Sequence, residues 1–132
     1  MASSFVLAVI LMAAFACGGA EEERLVGGWV KHSVDGDPLY AELAHFAISK
    51  QKTNRDFFDT VLELTAVESQ VVTGATYRLT FKTAESTCRV TETYTKERCL
   101  PKTGNVKDIC TAVIYVPLEE PRAISSFTCD SA

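Results

Sequence analysis

The segment "DPLYAELAHFAISKQK", residues 37–52, is the only part of the chain whose apolar residues recur at helical spacing. Asp37 can accept a hydrogen bond from a free backbone amide of the first turn, and Pro38 stands where its missing amide hydrogen costs nothing. The residues spaced by three and four that define one apolar face are Leu39, Leu43, Phe46 and Ala47. We therefore predict a single helix from Pro38 to about Lys52.

The chain after Asp56 changes to β-branched and aromatic residues, which favour strands. Tyr77, Leu79 and Phe81 alternate with polar residues, as expected for a strand with one buried and one solvated face. The predicted strands lie near residues 57–72, 75–83, 88–96, 110–116 and 123–129. One helix followed by an antiparallel meander predicts an α+β fold, with the helix packed across one face of a twisted antiparallel β-sheet.

The N-terminal region contains an unbroken apolar run, residues 5–16, that is too short to span a bilayer as a helix. Small residues follow it, and this combination is typical of a secretory signal peptide. We expect residues 1–20 to be removed and residues 21–132 to form one secreted, extracellular domain. An uncleaved anchor or a lipid attached to Cys17 is the alternative.

The cysteines beyond the expected signal peptide are Cys88, Cys99, Cys110 and Cys129. Four cysteines in a short secreted chain predict two disulfides, and the sequence by itself leaves all three pairings open. No Cys-x-x-Cys pair is present, which argues against a zinc ribbon or a redox site. Full pairing leaves no thiol to act as a nucleophile.

Charge and residue types favour binding over catalysis. The net charge of −4 gives no electrostatic footprint for nucleic acid or an anionic membrane. His32 lies in a polar stretch and His45 on the outward side of the predicted helix, so both are expected to be solvated. Asp35 and Asp37 are better explained as a turn and a helix cap than as a general acid and base. We expect no catalytic residues, no metal and no cofactor.

Three stretches are unusual for a plain protein surface. Residues 24–28, "RLVGG", place two apolar residues and two glycines in an N-terminal arm. Residues 70–74, "QVVTG", place two valines just before a turn, where polar residues are usual. Residues 116–121, "VPLEEP", begin the turn between the last two predicted strands. Apolar residues at a turn either pack under a neighbouring element or form a patch for another molecule.

Together these stretches resemble the protease-binding surface of the secreted, two-disulfide (type 2) cystatins. "QVVTG" fits their Gln-x-Val-x-Gly hairpin, "RLVGG" is similar to their N-terminal segment, and "PL" stands where they usually have Pro-Trp. The cysteine order, the apolar leader and the helix before the sheet agree as well. The resemblance covers essentially the whole mature chain. Within the family, the sequence is similar to tick salivary and gut cystatins.

The resemblance implies reversible, competitive inhibition of papain-like cysteine proteases, with no covalent step. The N-terminal arm would enter the non-primed side of the cleft, the first hairpin would lie against the catalytic cysteine, and the second hairpin would take the primed side. The protease-binding residues that it implies are Leu25, Val26, Gly27, Gln70, Val71, Val72, Thr73, Gly74, Pro117 and Leu118. It also implies the disulfides Cys88–Cys99 and Cys110–Cys129.

Two departures from the family pattern bear on the choice of protease. Leu118 replaces the usual Trp, so the third contact with the protease is smaller. We therefore expect cathepsins resembling L and S to be favoured. Cathepsin B should be bound weakly, because a loop occludes the primed side of its cleft. Thr53-Asn54-Arg55 stands where some members carry the Ser-Asn-Asp that captures legumain. Because Arg55 breaks that pattern, we expect weak or absent inhibition of legumain.

The main alternative is a cystatin-fold protein that binds other partners without inhibiting proteases, although the intact "QVVTG" argues against it. A small secreted hydrolase that depends on His32 or His45 is a third interpretation. We expect mainly a monomer, with strand exchange through the first hairpin as a route to a dimer.

Overall fold

The computed structural model describes residues 28–132, which form one helix and five strands. In chain order the elements are β1 Val30–His32, α1 Pro38–Ser49, β2 Phe57–Val72, β3 Gly74–Arg89, β4 Asp108–Val116 and β5 Ala123–Ser131. The strands build one antiparallel sheet in the order β1-β2-β3-β4-β5, so consecutive strands are neighbours. The predicted α+β fold is confirmed. Within residues 28–132, no helix is long and apolar enough to cross a membrane.

The helix begins as predicted and ends at Ser49 rather than near Lys52. A side-chain oxygen of Asp37 caps the first turn by accepting a hydrogen bond from the amide of Leu39 at 2.9 Å. The residues that the helix buries are Tyr40, Leu43, Ala44, Ala47 and Ile48. Leu39 and Phe46, which the spacing places in the apolar face, lie half-buried at its margins. The buried face is therefore rotated from the predicted one.

The helix packs across the middle of the sheet. The buried strand residues beneath it are Val67, Leu79, Phe81, Cys110, Ala112 and Ile114. Leu79 and Phe81 are fully buried, as the alternation along β3 predicts. Each such apolar side chain contributes about 1.5–3 kcal/mol to stability relative to an exposed one. This core joins the helix to β2, β3 and β4.

One predicted strand is wrong. The sequence predicts a strand over residues 88–96, whereas β3 ends inside this range and the chain then turns. A disulfide between Cys88 and Cys99 closes the segment into a loop. Within it, Tyr94 packs edge-on against Phe58 with ring centroids 5.3 Å apart. Tertiary contacts therefore override the local β propensity.

Both disulfides implied by the resemblance are present. Cys88 is bonded to Cys99, and Cys110 is bonded to Cys129. The second pair joins residues that lie directly opposite each other in β4 and β5. Each closed loop restricts the unfolded chain and contributes about 2–4 kcal/mol.

The environment of His45 also differs from the prediction, because this side chain is half-buried rather than solvated. Its Nδ1 lies 2.6 Å from the hydroxyl of Tyr94, which in turn lies 2.8 Å from the hydroxyl of Thr60. Burial lowers the pKa of His45 below its usual value of 6.5. The positive charge of Lys96 adds to this effect, and Glu97 opposes it. The folded protein therefore favours neutral His45, bonded to the loop that the first disulfide closes.

This lowered pKa predicts a pH-dependent stability. As the pH falls below about 6.5, the unfolded chain binds a proton on His45 before the folded chain does, so the free energy of unfolding should decrease with decreasing pH. His45→Gln should flatten this dependence between about pH 7.5 and about pH 5.5, measured by urea unfolding. His32→Gln is the matched control and should retain it. An equally steep dependence in His45→Gln would contradict the assignment.

Candidate functional site

The segments that the sequence singles out meet at one end of the sheet. β1 runs antiparallel to β2 with Val30 opposite Ser69, so the chain enters β1 beside the far end of β2. Gly28, the first described residue, lies next to Gln70, and a Cβ added to Gly28 would be 3.7 Å from the Gln70 Nε2. The turn after β2 and the turn after β4 lie at this same end, since β3 pairs with β4 up to Val116. We refer to Gly28, residues 70–74 and residues 116–118 as the wedge.

The first turn of the wedge is tight and requires glycine. Val72 pairs with Gly74, so Thr73 alone reverses the chain. Gly74 has a φ of +92°, in the region that glycine adopts without strain. A Cβ at this position would come within 2.7 Å of the Val116 carbonyl oxygen and 2.9 Å of the Pro117 Cα. Backbone conformation and close contact with the second turn therefore both exclude a side chain.

The two turns display apolar side chains to solvent. Val71 is 79% exposed and Leu118 is 80% exposed. Both side chains line an open groove of about 550 Å³, whose lining residues are Val71, Thr73, Gly74, Ala75, Val116, Pro117 and Leu118. These side chains do not pack under a neighbouring element, so of the two sequence interpretations the exposed apolar patch fits the structure.

The sequence analysis did not identify two side chains near the wedge, of which one bonds to the wedge and the other packs against the neighbouring Trp29. The hydroxyl of Tyr115 donates a hydrogen bond to the carbonyl oxygen of Thr73 at 2.7 Å. Arg78 lies with its guanidinium carbon 4.3 Å from the ring centroid of Trp29 and donates a 2.6 Å hydrogen bond from Nε to Glu68. Strand alternation places Arg78 and Tyr115 on the sheet face away from the helix. Only the strand register reveals these contacts.

Some predicted site residues cannot be placed. Leu25, Val26 and Gly27 lie outside the described residues, and so does the side chain of Val72. The arm is therefore represented only by Gly28, which has a φ of +86°.

Asn54, the residue considered for legumain, lies at the opposite end of the sheet from the wedge. It is exposed in the loop between α1 and β2, with a φ of +61°. Its neighbour Arg55 points back to the sheet and donates a 2.9 Å hydrogen bond to Asp59. The expectation of weak legumain inhibition stays a prediction.

The wedge contains no acidic, basic or thiol side chain, so it offers apolar groups, main-chain polar groups and the uncharged polar side chains of Gln70 and Thr73. Across residues 28–132, no three His, Cys, Asp or Glu side chains come together in a way that could hold a metal ion. Of the two histidines, His32 is also half-buried rather than solvated, with Nε2 2.6 Å from the Ser69 hydroxyl, and His45 is bonded to Tyr94. The arrangement is suited to binding an apolar cleft.

Comparison with known proteins gives consistent matches. Residues 28–119 match the family described as Cystatin domain. "Mialostatin" of Ixodes ricinus is 41% identical over 133 residues, covering 98% of this chain and 94% of the relative. "Salivary cystatin-L2" of Ixodes scapularis is 43% identical over 135 residues, covering 100% of both chains. The crystal structure of mialostatin, described as a gut cystatin from the hard tick Ixodes ricinus, matches with a TM-score of 0.76 and 39% identity, covering 80% of this chain and 99% of that chain.

The geometry of the first turn predicts that Gly74→Ala is costly. The substitution should lower the free energy of unfolding by about 2 kcal/mol, measured by urea unfolding, because Ala must adopt a left-handed backbone and its Cβ presses against the second turn. Gly104→Ala is the matched control, because a Cβ there meets nothing within 4 Å. It should change stability by less than about 0.5 kcal/mol. Equal stabilities of the two variants would show that the turn relaxes freely.

Proposed function

The chain belongs to the cystatin family of cysteine protease inhibitors, and we propose that it inhibits papain-like enzymes reversibly and competitively by placing the wedge in their active-site cleft. Cystatins inhibit proteases and are not themselves enzymes. The observation that carries the proposal is the pair of exposed apolar side chains, Val71 and Leu118, on two adjacent turns that share one groove. An apolar cleft would cover both at once.

The energetics favour a pre-formed inhibitor. Moving Val71 and Leu118 from water into a cleft stabilises a complex by about 1.5–3 kcal/mol for each side chain. The sheet that carries the turns is held by its helix and by two disulfides, so binding does not require the scaffold to become ordered. The wedge has no nucleophile, which fits inhibition without a covalent step.

The N-terminal arm completes the proposed surface. Leu25 and Val26 would fill the non-primed side of the cleft, and Gly27 would allow the chain to bend there. Support comes from Gly28, which enters the sheet beside Gln70 with a φ of +86° and so starts from the same end as both turns.

We also propose that the protein is secreted and acts mainly as a monomer. The similar proteins include salivary and gut cystatins of ticks. Residues 1–20 have the pattern of a signal peptide, and residues 21–132 would be the mature inhibitor.

The proposal is tested by inhibition assays of residues 21–132 against a panel of papain-like proteases. Val71→Asp should weaken inhibition by at least about 30-fold, because an apolar contact is lost and a charge must be desolvated in the cleft. Val106→Asp is the matched control, since this exposed valine lies in the loop before β4, away from the wedge. A folded wild-type protein that inhibits no papain-like protease would favour a cystatin-fold protein with other partners.

Selectivity should depend on Leu118. A Trp at this position would cover more protease surface, so Leu118→Trp should strengthen inhibition of cathepsin B by about tenfold, which corresponds to about 1.4 kcal/mol. Cathepsins resembling L and S leave the cleft open and should gain less. Leu100→Trp is the control, because Leu100 is also exposed but belongs to the loop after the first disulfide. No gain against cathepsin B, or natural binding to it tighter than to cathepsin L, would show that the second turn does not set selectivity.

A further inference from the structure

We infer that Tyr115 is a positioning residue that holds the first turn of the wedge in its binding conformation, an inference that rests on the proposed function. The Tyr115 hydroxyl donates a hydrogen bond to the carbonyl oxygen of Thr73 at 2.7 Å. Thr73 is the apex between β2 and β3, whereas Tyr115 belongs to β4. The bond therefore fastens the apex to a strand that does not form it.

The register explains why this side chain reaches the apex. Tyr115 lies opposite Thr76, so both side chains are on the same face of the sheet. The neighbouring Ile114 is fully buried under the helix, which puts Tyr115 on the other face. From there the long phenol extends along the sheet to Thr73. A Phe would occupy the same space without the donor.

The apex needs support because it extends past the end of β4, the strand that pairs with the other side of β3. The pairing of β2 with β3 continues to Val72 opposite Gly74, whereas the pairing of β3 with β4 reaches only Ala75 opposite Val116. The last turn is therefore held in the sheet by its own two strands. Gly74 adds backbone freedom at this point, since glycine reaches more conformations than any other residue. The Tyr115 hydrogen bond limits that freedom.

The position of the apex matters for binding. Val71 must enter the cleft at a fixed distance from Leu118, because the two side chains line the same groove. A turn that is already held in place loses less conformational entropy when a protease covers it. The hydrogen bond should also strengthen once the cleft excludes water. Tyr115 thus affects binding indirectly, by holding Thr73 in place.

The test compares Tyr115→Phe with Tyr77→Phe. The control removes the same hydroxyl from a tyrosine on the helix side of the sheet, whose ring lies 6.0 Å from that of Tyr40. Tyr115→Phe should weaken inhibition of a papain-like protease by about fivefold, the value of a typical hydrogen bond, and Tyr77→Phe should leave it unchanged.

Two further readouts separate positioning from general stabilisation. In a Val71→Ala background, Tyr115→Phe should weaken inhibition only about twofold or less, because the short Ala side chain loses little contact with the protease when the turn is misplaced. In the free protein, amide hydrogen exchange at Thr73 and Gly74 should become about fivefold faster, while exchange in β5 stays unchanged.

The outcomes distinguish this inference from the function on which it rests. A wild-type protein that inhibits, with a Tyr115→Phe variant that inhibits equally well, would overturn the role of Tyr115 and leave the proposed function intact. The same fivefold loss in the Val71→Ala background would also overturn it, since additive effects indicate independent contributions. A folded wild-type protein without any inhibition would overturn the proposed function and this inference together.

Discussion

The antiparallel pairing between β2 and β3 fixes the position of everything else in the molecule. Each strand is 16 residues long, and their ladder extends from Phe57 opposite Arg89 to Val72 opposite Gly74. Side chains alternate between faces, so a slip of one residue would turn Leu79 away from the helix and expose it. Three irregularities in the register bend the ladder, as strands must bend to follow a helix. The helix rests on one side of this hairpin, and the wedge is built on its tip.

The two ends of the sheet have different roles. At the end away from the wedge, Asp59 is only 3% exposed and accepts hydrogen bonds from Arg55 at 2.9 Å and Lys107 at 3.0 Å. The disulfide between Cys88 and Cys99 closes the loop at that same end. The buried Asp59 charge cluster and the Cys88–Cys99 disulfide thus lie where no binding is proposed. The wedge can expose apolar side chains because it is not needed to hold the core together.

The sequence predicts those features that short segments determine. Asp37 caps the helix as predicted, and the "QVVTG" turn places its glycine at a positive φ. The errors involve contacts between distant residues. Tyr94 is far from both Phe58 and His45 in the chain, so neither the loop at residues 88–96 nor the half-buried state of His45 could be inferred from local pattern. Tyr115 was not identified because its contact with Thr73 depends on the register of β3 with β4.

The fold constrains the two turns of the wedge to different degrees. Gly74 is constrained by the inhibitor itself, because its backbone angle and the closeness of Val116 and Pro117 exclude a side chain even in the free protein. Leu118 is 80% exposed, so the fold places little demand on the identity of its side chain. A substitution there changes the proposed protease-binding surface while leaving the core untouched. The first turn therefore supplies a fixed geometry, and in the proposed complex the second turn is where affinity for different proteases would change at little cost to folding.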